Sequence, residues 1–129
     1  MKIEHIAIWT RNLENMKNFY MNYFKMNCGP KYENKNKNFS SYFLTFGNSK
    51  TRIELMHRPD IARFIGDKEN TNGFAHFAIS VGSKAAVDAL TEEIRNDGLT
   101  VKSEPRITGD GYYESVVLDV EGNCIEITE

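Results

Sequence analysis

Cysteine is nearly absent from this chain. Cys28 and Cys124 are its only two, and neither belongs to a CxxC pair. That argues against both a disulfide framework and a cysteine-built zinc site. Basic charge is not in excess either: 16 Lys and Arg stand against 18 Asp and Glu, so there is no electrostatic footprint for nucleic acid. No apolar run approaches the length of roughly 20 residues that spans a bilayer as a helix. The opening Met1-Lys2-Ile3-Glu4-His5 places an acid and a histidine where a secretory signal needs unbroken apolar sequence. These absences predict a cytoplasmic protein with reduced thiols, and no nucleic-acid or membrane partner.

What is present is enough apolar sequence to fold. At 129 residues and 40% hydrophobic, the chain can form one domain, or two half-size modules sharing a core. Ile3 to Trp9 reads as a strand of β-branched and aromatic residues without breakers. Asn12 is placed to cap a helix. Leu13, Met16, Phe19, Tyr20, Tyr23 and Phe24 follow at spacings of three and four, which makes one apolar helical face. Cys28-Gly29-Pro30 interrupts it, and Lys31 to Asn38 is a polar loop or a short strand entering one. Phe39 to Phe46 and Thr51 to Met56 read as strands joined by a turn at Gly47-Asn48-Ser49.

A punctuated connection from His57 to Gly73 follows, and then the order repeats. Phe74 to Val81 is a strand. Ser83 caps a helix through Ala86, Val87, Leu90 and Ile94, with Gly98 just past its end. Thr100 to Ile107 is a strand despite Pro105, and Thr108-Gly109-Asp110-Gly111 is a turn, or a mobile loop. Tyr112 to Val120 and Cys124 to Thr128 are strands joined at Glu121-Gly122-Asn123. The predicted order is βαβββ, linker, βαβββ, with module one at 1–57, linker 58–73 and module two at 74–129. The letters repeat as well. His5-Ile6-Ala7-Ile8 matches His76-Phe77-Ala78-Ile79 at an offset of 71, and Ile53-Glu54-Leu55 matches Ile125-Glu126-Ile127 at an offset of 72.

Alternation along a strand sorts these residues by face. His5 shares a face with Ala7 and Trp9, Glu54 with Arg52 and Met56, His76 with Ala78 and Ser80, and Glu126 with Cys124 and Thr128. The opposite faces are apolar and suit packing on helices. A lone strand histidine or glutamate is ordinarily a satisfied core group or a solvated one. Four of them at repeated spacing are harder to explain that way, because a carboxylate facing into a sheet is costly unless paired or bound to a metal. His5, Glu54, His76 and Glu126 are therefore the candidate metal ligands. A nitrogen and oxygen donor set without thiolate suits Ni²⁺, Co²⁺, Zn²⁺ or Mn²⁺. His57 lies on the other parity and reads as a loop residue.

This constellation on paired βαβββ modules resembles the vicinal-oxygen-chelate superfamily, which includes glyoxalase I, bleomycin-resistance proteins, fosfomycin-modifying enzymes and extradiol dioxygenases. Thr108-Gly109-Asp110-Gly111-Tyr112-Tyr113-Glu114-Ser115, Leu118-Asp119, Glu121-Gly122-Asn123 and Ile125-Glu126-Ile127 are similar to the C-terminal signature of the bacterial glyoxalase-I-like branch. The complete His-Glu-His-Glu set matches that branch too. The departures are Cys124, where the branch commonly has Arg, and Val120, where it commonly has Pro. The resemblance implies an α+β fold: tandem modules in curved mixed sheets, an eight-stranded cup with helices outside. It implies a divalent-metal lyase or isomerase of the lactoylglutathione lyase kind, acting on a 2-oxoaldehyde–thiol hemithioacetal. Glu126 is the expected base, Glu54 its counterpart, and a homodimer with sites at the subunit interface the expected assembly.

Two rivals follow from the same family. One is a metal-free drug- or antibiotic-binding protein, for which Trp9, Phe43, Tyr112 and Tyr113 would serve unless they are ordinary core. The other is a thiol transferase on an epoxide antibiotic, which the carboxylate at Glu54 argues against. Arg52, Arg58, Arg63 and Arg106 are either solvated charges or contacts for an anionic ligand.

Overall fold

A computed structural model describes residues 1–47, 49–66 and 71–129. Asn48 of the first hairpin turn, and residues 67–70 of the connection between the modules, lie outside the described residues. The chain divides into two compact units, Met1–Arg63 and Phe64–Glu129.

The first unit opens with β1 (His5–Trp9) and α1 (Leu13–Phe24), and closes with β4 (Phe39–Thr45) and β5 (Arg52–His57). Asn12 caps α1 as its pattern predicts, its side chain accepting from the Asn15 N–H at 3.0 Å. The helix ends where Lys25 enters the left-handed region at φ 51°. Between α1 and β4 the anticipated polar loop is partly extended. It carries β2 (Asn27–Cys28), β3 (Tyr32–Asn34) and a 3-10 turn at Lys35–Lys37. Both short strands pair antiparallel with β4. They amount to one strand broken in two. Pro30 between them has no N–H to give to the ladder, so the pairing lapses there. The sheet order is β1-β5-β4-β2, with β1 and β5 parallel.

The second unit holds β6 (His76–Ser80), α2 (Lys84–Asn96), β7 (Val101–Ile107), β8 (Tyr113–Leu118) and β9 (Cys124–Thr128). Its order is β6-β9-β8-β7, with β6 and β9 parallel. Ser83 caps α2 by accepting from the Ala86 N–H at 3.2 Å. Gly98, at φ 76°, closes it: Gly98 N–H bonds Arg95 O at 2.9 Å and Leu99 N–H bonds Ile94 O at 3.1 Å. That pair of bonds is a Schellman motif, which satisfies carbonyls the helix end would otherwise orphan. Pro105 is tolerated because β7 is an edge strand, and the β7–β8 register shifts between Ser103 and Arg106. The turn before β9 is tied by the buried Asp119 carboxylate, which accepts from the Glu121 and Asn123 N–H groups at 2.9 Å each and from Asn123 Nδ2 at 2.7 Å.

In each unit one sheet face packs on its helix. Leu44, Ile53 and Leu55 are buried in the first unit, as are Met16, Phe19 and Tyr20 of α1. Val117, Ile125 and Ile127 are buried in the second, with Val87, Leu90 and Ile94 of α2. Each such aliphatic side chain contributes about 1.5–3 kcal/mol by leaving water. Strands β1, β5, β6 and β9 therefore present His5, Glu54, His76 and Glu126 on the face away from the helix.

Within the second core, Thr91 Oγ1 donates to Val87 O at 2.7 Å and lies 2.7 Å from Ser115 Oγ, and both hydroxyls are fully buried. With Thr91 committed to the carbonyl, Ser115 donates to Thr91. Thr91→Val should cost about 1–3 kcal/mol by stranding the Ser115 hydroxyl. Thr91→Val combined with Ser115→Ala should cost less than the sum of the two single changes. Urea denaturation of all four proteins checks this.

Candidate functional site

The parallel pairing at one edge of each sheet builds the candidate site. In the first unit His5 is registered with Arg52, and Ala7 with Glu54. In the second, His76 is registered with Cys124, and Ala78 with Glu126. The histidine thus lies diagonally from the glutamate. The residue beside each glutamate is alanine, whose small side chain leaves the diagonal open. His5 Nε2 stands 3.8 Å from Glu54 Oε2, and His76 Nε2 stands 3.2 Å from Glu126 Oε1. The carboxylates are the more sheltered partners, with side chains 16% and 20% exposed against 39% and 45% for the imidazoles.

Two donors on one divalent ion, each at about 2.1 Å and roughly at right angles, stand about 3 Å apart. The His76–Glu126 separation of 3.2 Å lies near that value, while the His5–Glu54 separation of 3.8 Å is wider and would have to close on binding; imidazole with carboxylate is a suitable donor set for the borderline divalent ions. Each pair thus supplies two donors of the kind a divalent ion takes. Among the described residues no three His, Cys, Asp or Glu gather as a metal cluster; the predicted ligands come as two pairs, one per unit.

The surroundings of the two pairs differ. Glu54 is flanked by Phe43 across the β4–β5 ladder. The Phe43 ring meets His5 edge-on at 5.6 Å between centroids, and the Arg52 guanidinium lies 4.0 Å above that ring. Arg52 also binds the Glu4 carboxylate, which in turn meets His5 Nδ1. The bonds to His5 and then Arg52 hold the Glu4 carboxyl below the ordinary carboxylate range. In the second unit Val116 takes the place of Phe43 beside Glu126. Two residues along β8, the buried Glu114 has Arg106 Nη2 at 3.5 Å. Burial first, and the Glu126 carboxylate next, push the Glu114 carboxyl up. Cys124 is buried beside His76, with Lys102 Nζ 4.0 Å from its sulfur.

The other candidates take ordinary places. His57 is the last residue of β5 rather than a loop residue, and its Nδ1 meets Thr10 O at 2.8 Å. Thr108 ties the Gly109–Gly111 segment as a turn, with Gly111 N–H on Thr108 O at 3.0 Å and Thr108 N–H on Tyr112 O at 2.8 Å. Arg58 is held by both Asp60 oxygens at 2.6 and 2.9 Å. Tyr113 donates to Asp88 at 2.7 Å, while Trp9 and Tyr112 are exposed. An open cleft of 670 Å³ lies between Asn36–Asn38 and Arg58–Asp60, and its lining contains neither His–Glu pair. Neither Glu4 nor Glu114 is among the candidates that the sequence marks. Strand parity marks Glu114, which is registered with Thr128 on the Glu126 face. Glu4 falls inside the predicted strand from Ile3, where alternation puts it on the Ile6 face opposite His5; the observed strand begins only at His5.

The chain belongs to the Glyoxalase/Bleomycin resistance protein/Dioxygenase superfamily, whose family model matches residues 2–127. No curated protein matches by sequence. Among solved structures it is similar to glyoxalase I of Zea mays, at 24% identity and a TM-score of 0.81 over 98% of this chain and 44% of that one. The chain thus spans less than half of the maize enzyme's length. It is also similar to the trypanothione-dependent glyoxalase I of Leishmania major, at 21% identity and a TM-score of 0.79 over 100% of this chain and 86% of that one. A glyoxylase/bleomycin resistance protein/dioxygenase domain from Frankia sp. matches at 15% identity and a TM-score of 0.83, over 99% and 96% of the two chains. At these identities the likeness is one of fold.

A carboxyl whose pKa is raised by folding contributes most to stability below its unfolded value, and loses that contribution as pH rises through the folded one. Glu114 is such a group, so it weakens the fold at neutral pH relative to acid. Glu114→Gln should flatten the decline in melting temperature of the metal-free protein above the ordinary carboxylate range, near 4.5. Thermal scans of both proteins from acid to neutral pH check this. An unchanged slope would show that Glu114 titrates normally.

Proposed function

We propose that this protein is a metal-dependent isomerase of the glyoxalase I type, converting a 2-oxoaldehyde–thiol hemithioacetal into a 2-hydroxyacyl thioester. The observation that carries the reading is the pair of matched His–Glu diagonals, His5 with Glu54 and His76 with Glu126, each on the helix-free face of its sheet. In this reading residues 1–129 act as one glyoxalase-like domain, and the four side chains together hold one Ni²⁺, Co²⁺, Zn²⁺ or Mn²⁺ ion. Such an ion, when bound, supplies Lewis-acid stabilisation to two adjacent substrate oxygens. The protein's own part is proton transfer. Glu126 takes the C1 proton of the hemithioacetal and returns it to the neighbouring carbon, so its carboxylate must reach both. C1 loses its hydrogen and its hydroxyl proton to become the thioester carbonyl, while C2 gains the hydrogen and its ketone oxygen takes up the proton to become the hydroxyl. Glu54 is the near-symmetric counterpart, and the two imidazoles hold the site together. We infer a cytoplasmic homodimer whose subunits share their sites, the commonest closed assembly; among the described residues no helix is long and apolar enough to cross a membrane.

One observation favours a second reading. Trp9 is 42% exposed on the His5 strand and meets Phe39 edge-on at 6.1 Å, which suits a cup that binds a bulky aromatic compound without chemistry. Metal separates the two. Protein reloaded with each of the four ions should retain about one per chain, and His5→Ala and Glu126→Ala should both lose it. Glu126→Gln should lower hemithioacetal turnover by at least ~100-fold while costing much less in metal affinity. Equal losses of both would remove Glu126 as the base. No metal retention under any loading would leave the binding cup as the surviving reading.

A further inference from the structure

We propose that Glu4 is a positioning residue, clamped by Arg52, that fixes the tautomer and orientation of the His5 imidazole and makes the first half-site the rigid one. This inference rests on the metal-site reading of His5 but is tested apart from it.

A carboxylate only accepts hydrogen bonds, so the contact between Glu4 and His5 places the proton on Nδ1. That leaves the Nε2 lone pair free on the side where Glu54 stands. The opposite tautomer would put a proton on the atom needed as a ligand. A carboxylate behind a ligating histidine also raises its basicity.

The geometry holds Glu4 in place from two directions. Its second oxygen takes the Arg52 Nη2 donor, and its backbone carbonyl accepts the Arg52 N–H at 3.0 Å. Arg52 is in turn laid flat on Phe43, the ring that meets His5 edge-on. Among the described residues its Nε is buried without a hydrogen-bond partner, so the ring and Glu4 are the contacts that position the guanidinium.

None of this is repeated in the second unit. At the repeat offsets of 71 and 72, Ala75 stands for Glu4 and Cys124 for Arg52, and Val116 replaces Phe43 beside the glutamate. Neither alanine nor cysteine can supply the carboxylate or its cation. Among the described residues the one ion-pair partner of the His76 imidazole is Glu126. The chain thus has one imidazole set by its neighbours and one free to adjust, on otherwise matching frameworks.

The test uses metal-free, ¹⁵N-labelled protein at about pH 8, above the ordinary imidazole range. Two-bond proton–nitrogen correlations report which ring nitrogen of His5 and of His76 carries hydrogen. His5 should be the Nδ1–H form in the wild type and lose that preference in Glu4→Ala, with His76 the same in both. Glu4→Gln, which keeps an acceptor oxygen, should restore part of the preference. Zn²⁺ affinity should fall by about 10- to 100-fold in Glu4→Ala. Glu4 is exposed on the surface, so its removal should leave the fold standing, and unmoved His76 signals serve as the control. A His5 tautomer indifferent to Glu4, or equal changes at both histidines, would overturn the proposal. Loss of Zn²⁺ binding in the wild type would defeat the metal-site reading instead, while the tautomer spectra still decide the role of Glu4.

Discussion

Everything at the candidate site depends on a parallel strand pair at the edge of each sheet. The first and last strands of a module lie far apart in sequence, with a helix and an antiparallel pairing between them. Parallel pairing needs such a crossover. Once β1 lies on β5 and β6 on β9, register decides the chemistry: an alanine beside each glutamate, and a histidine two residues back on the diagonal. A slip of one residue would turn every histidine and glutamate toward the helix and every isoleucine toward water. The buried Ile53 and Leu55, and Ile125 and Ile127, hold the register that presents the glutamates between them.

That arrangement separates stability from function. Helix-facing side chains drop out of water and carry the folding energy, while His5, Glu54, His76 and Glu126 stay partly hydrated on the other face. A carboxylate kept partly hydrated and next to an imidazole avoids most of the penalty that full burial would impose. Glu114 shows the contrast. It sits on the same face but is buried, and it is the carboxyl whose ionisation the fold disfavours.

Alternation and repetition made most of this legible beforehand. Period-two patterning sorted the four residues to one face, and the repeat offsets tied them to each other. The caps at Asn12 and Ser83 and the glycine at 98 fell where local chemistry puts them. The split of the first module's second strand into Asn27–Cys28 and Tyr32–Asn34 is half legible, because Pro30 marks the break but not the pairing on either side. His57, opposite in parity to Glu54, reads as a loop residue but ends the strand, on the opposite face. Glu4 could not be found by pattern at all. Alternation from Ile3 puts it on the Ile6 face, whereas the strand begins at His5, and its partner Arg52 lies 48 positions away in sequence.

The two modules share a framework but have kept different neighbours around it. Arg52, Phe43 and Glu4 surround the first pair; Cys124, Val116 and Glu114 surround the second. An aromatic ring and a charged clamp restrict motion, because each fixes a group already fixed by the other. Valine and a buried thiol fill space without directing a hydrogen bond. A carboxylate that must leave its partner to move a proton is better placed among groups that do not hold it. On the proposed function, that asymmetry assigns the anchoring to His5, the imidazole held from behind, and leaves the base to the module without the clamp. A perfectly repeated pair of modules would give no reason to choose between the two glutamates.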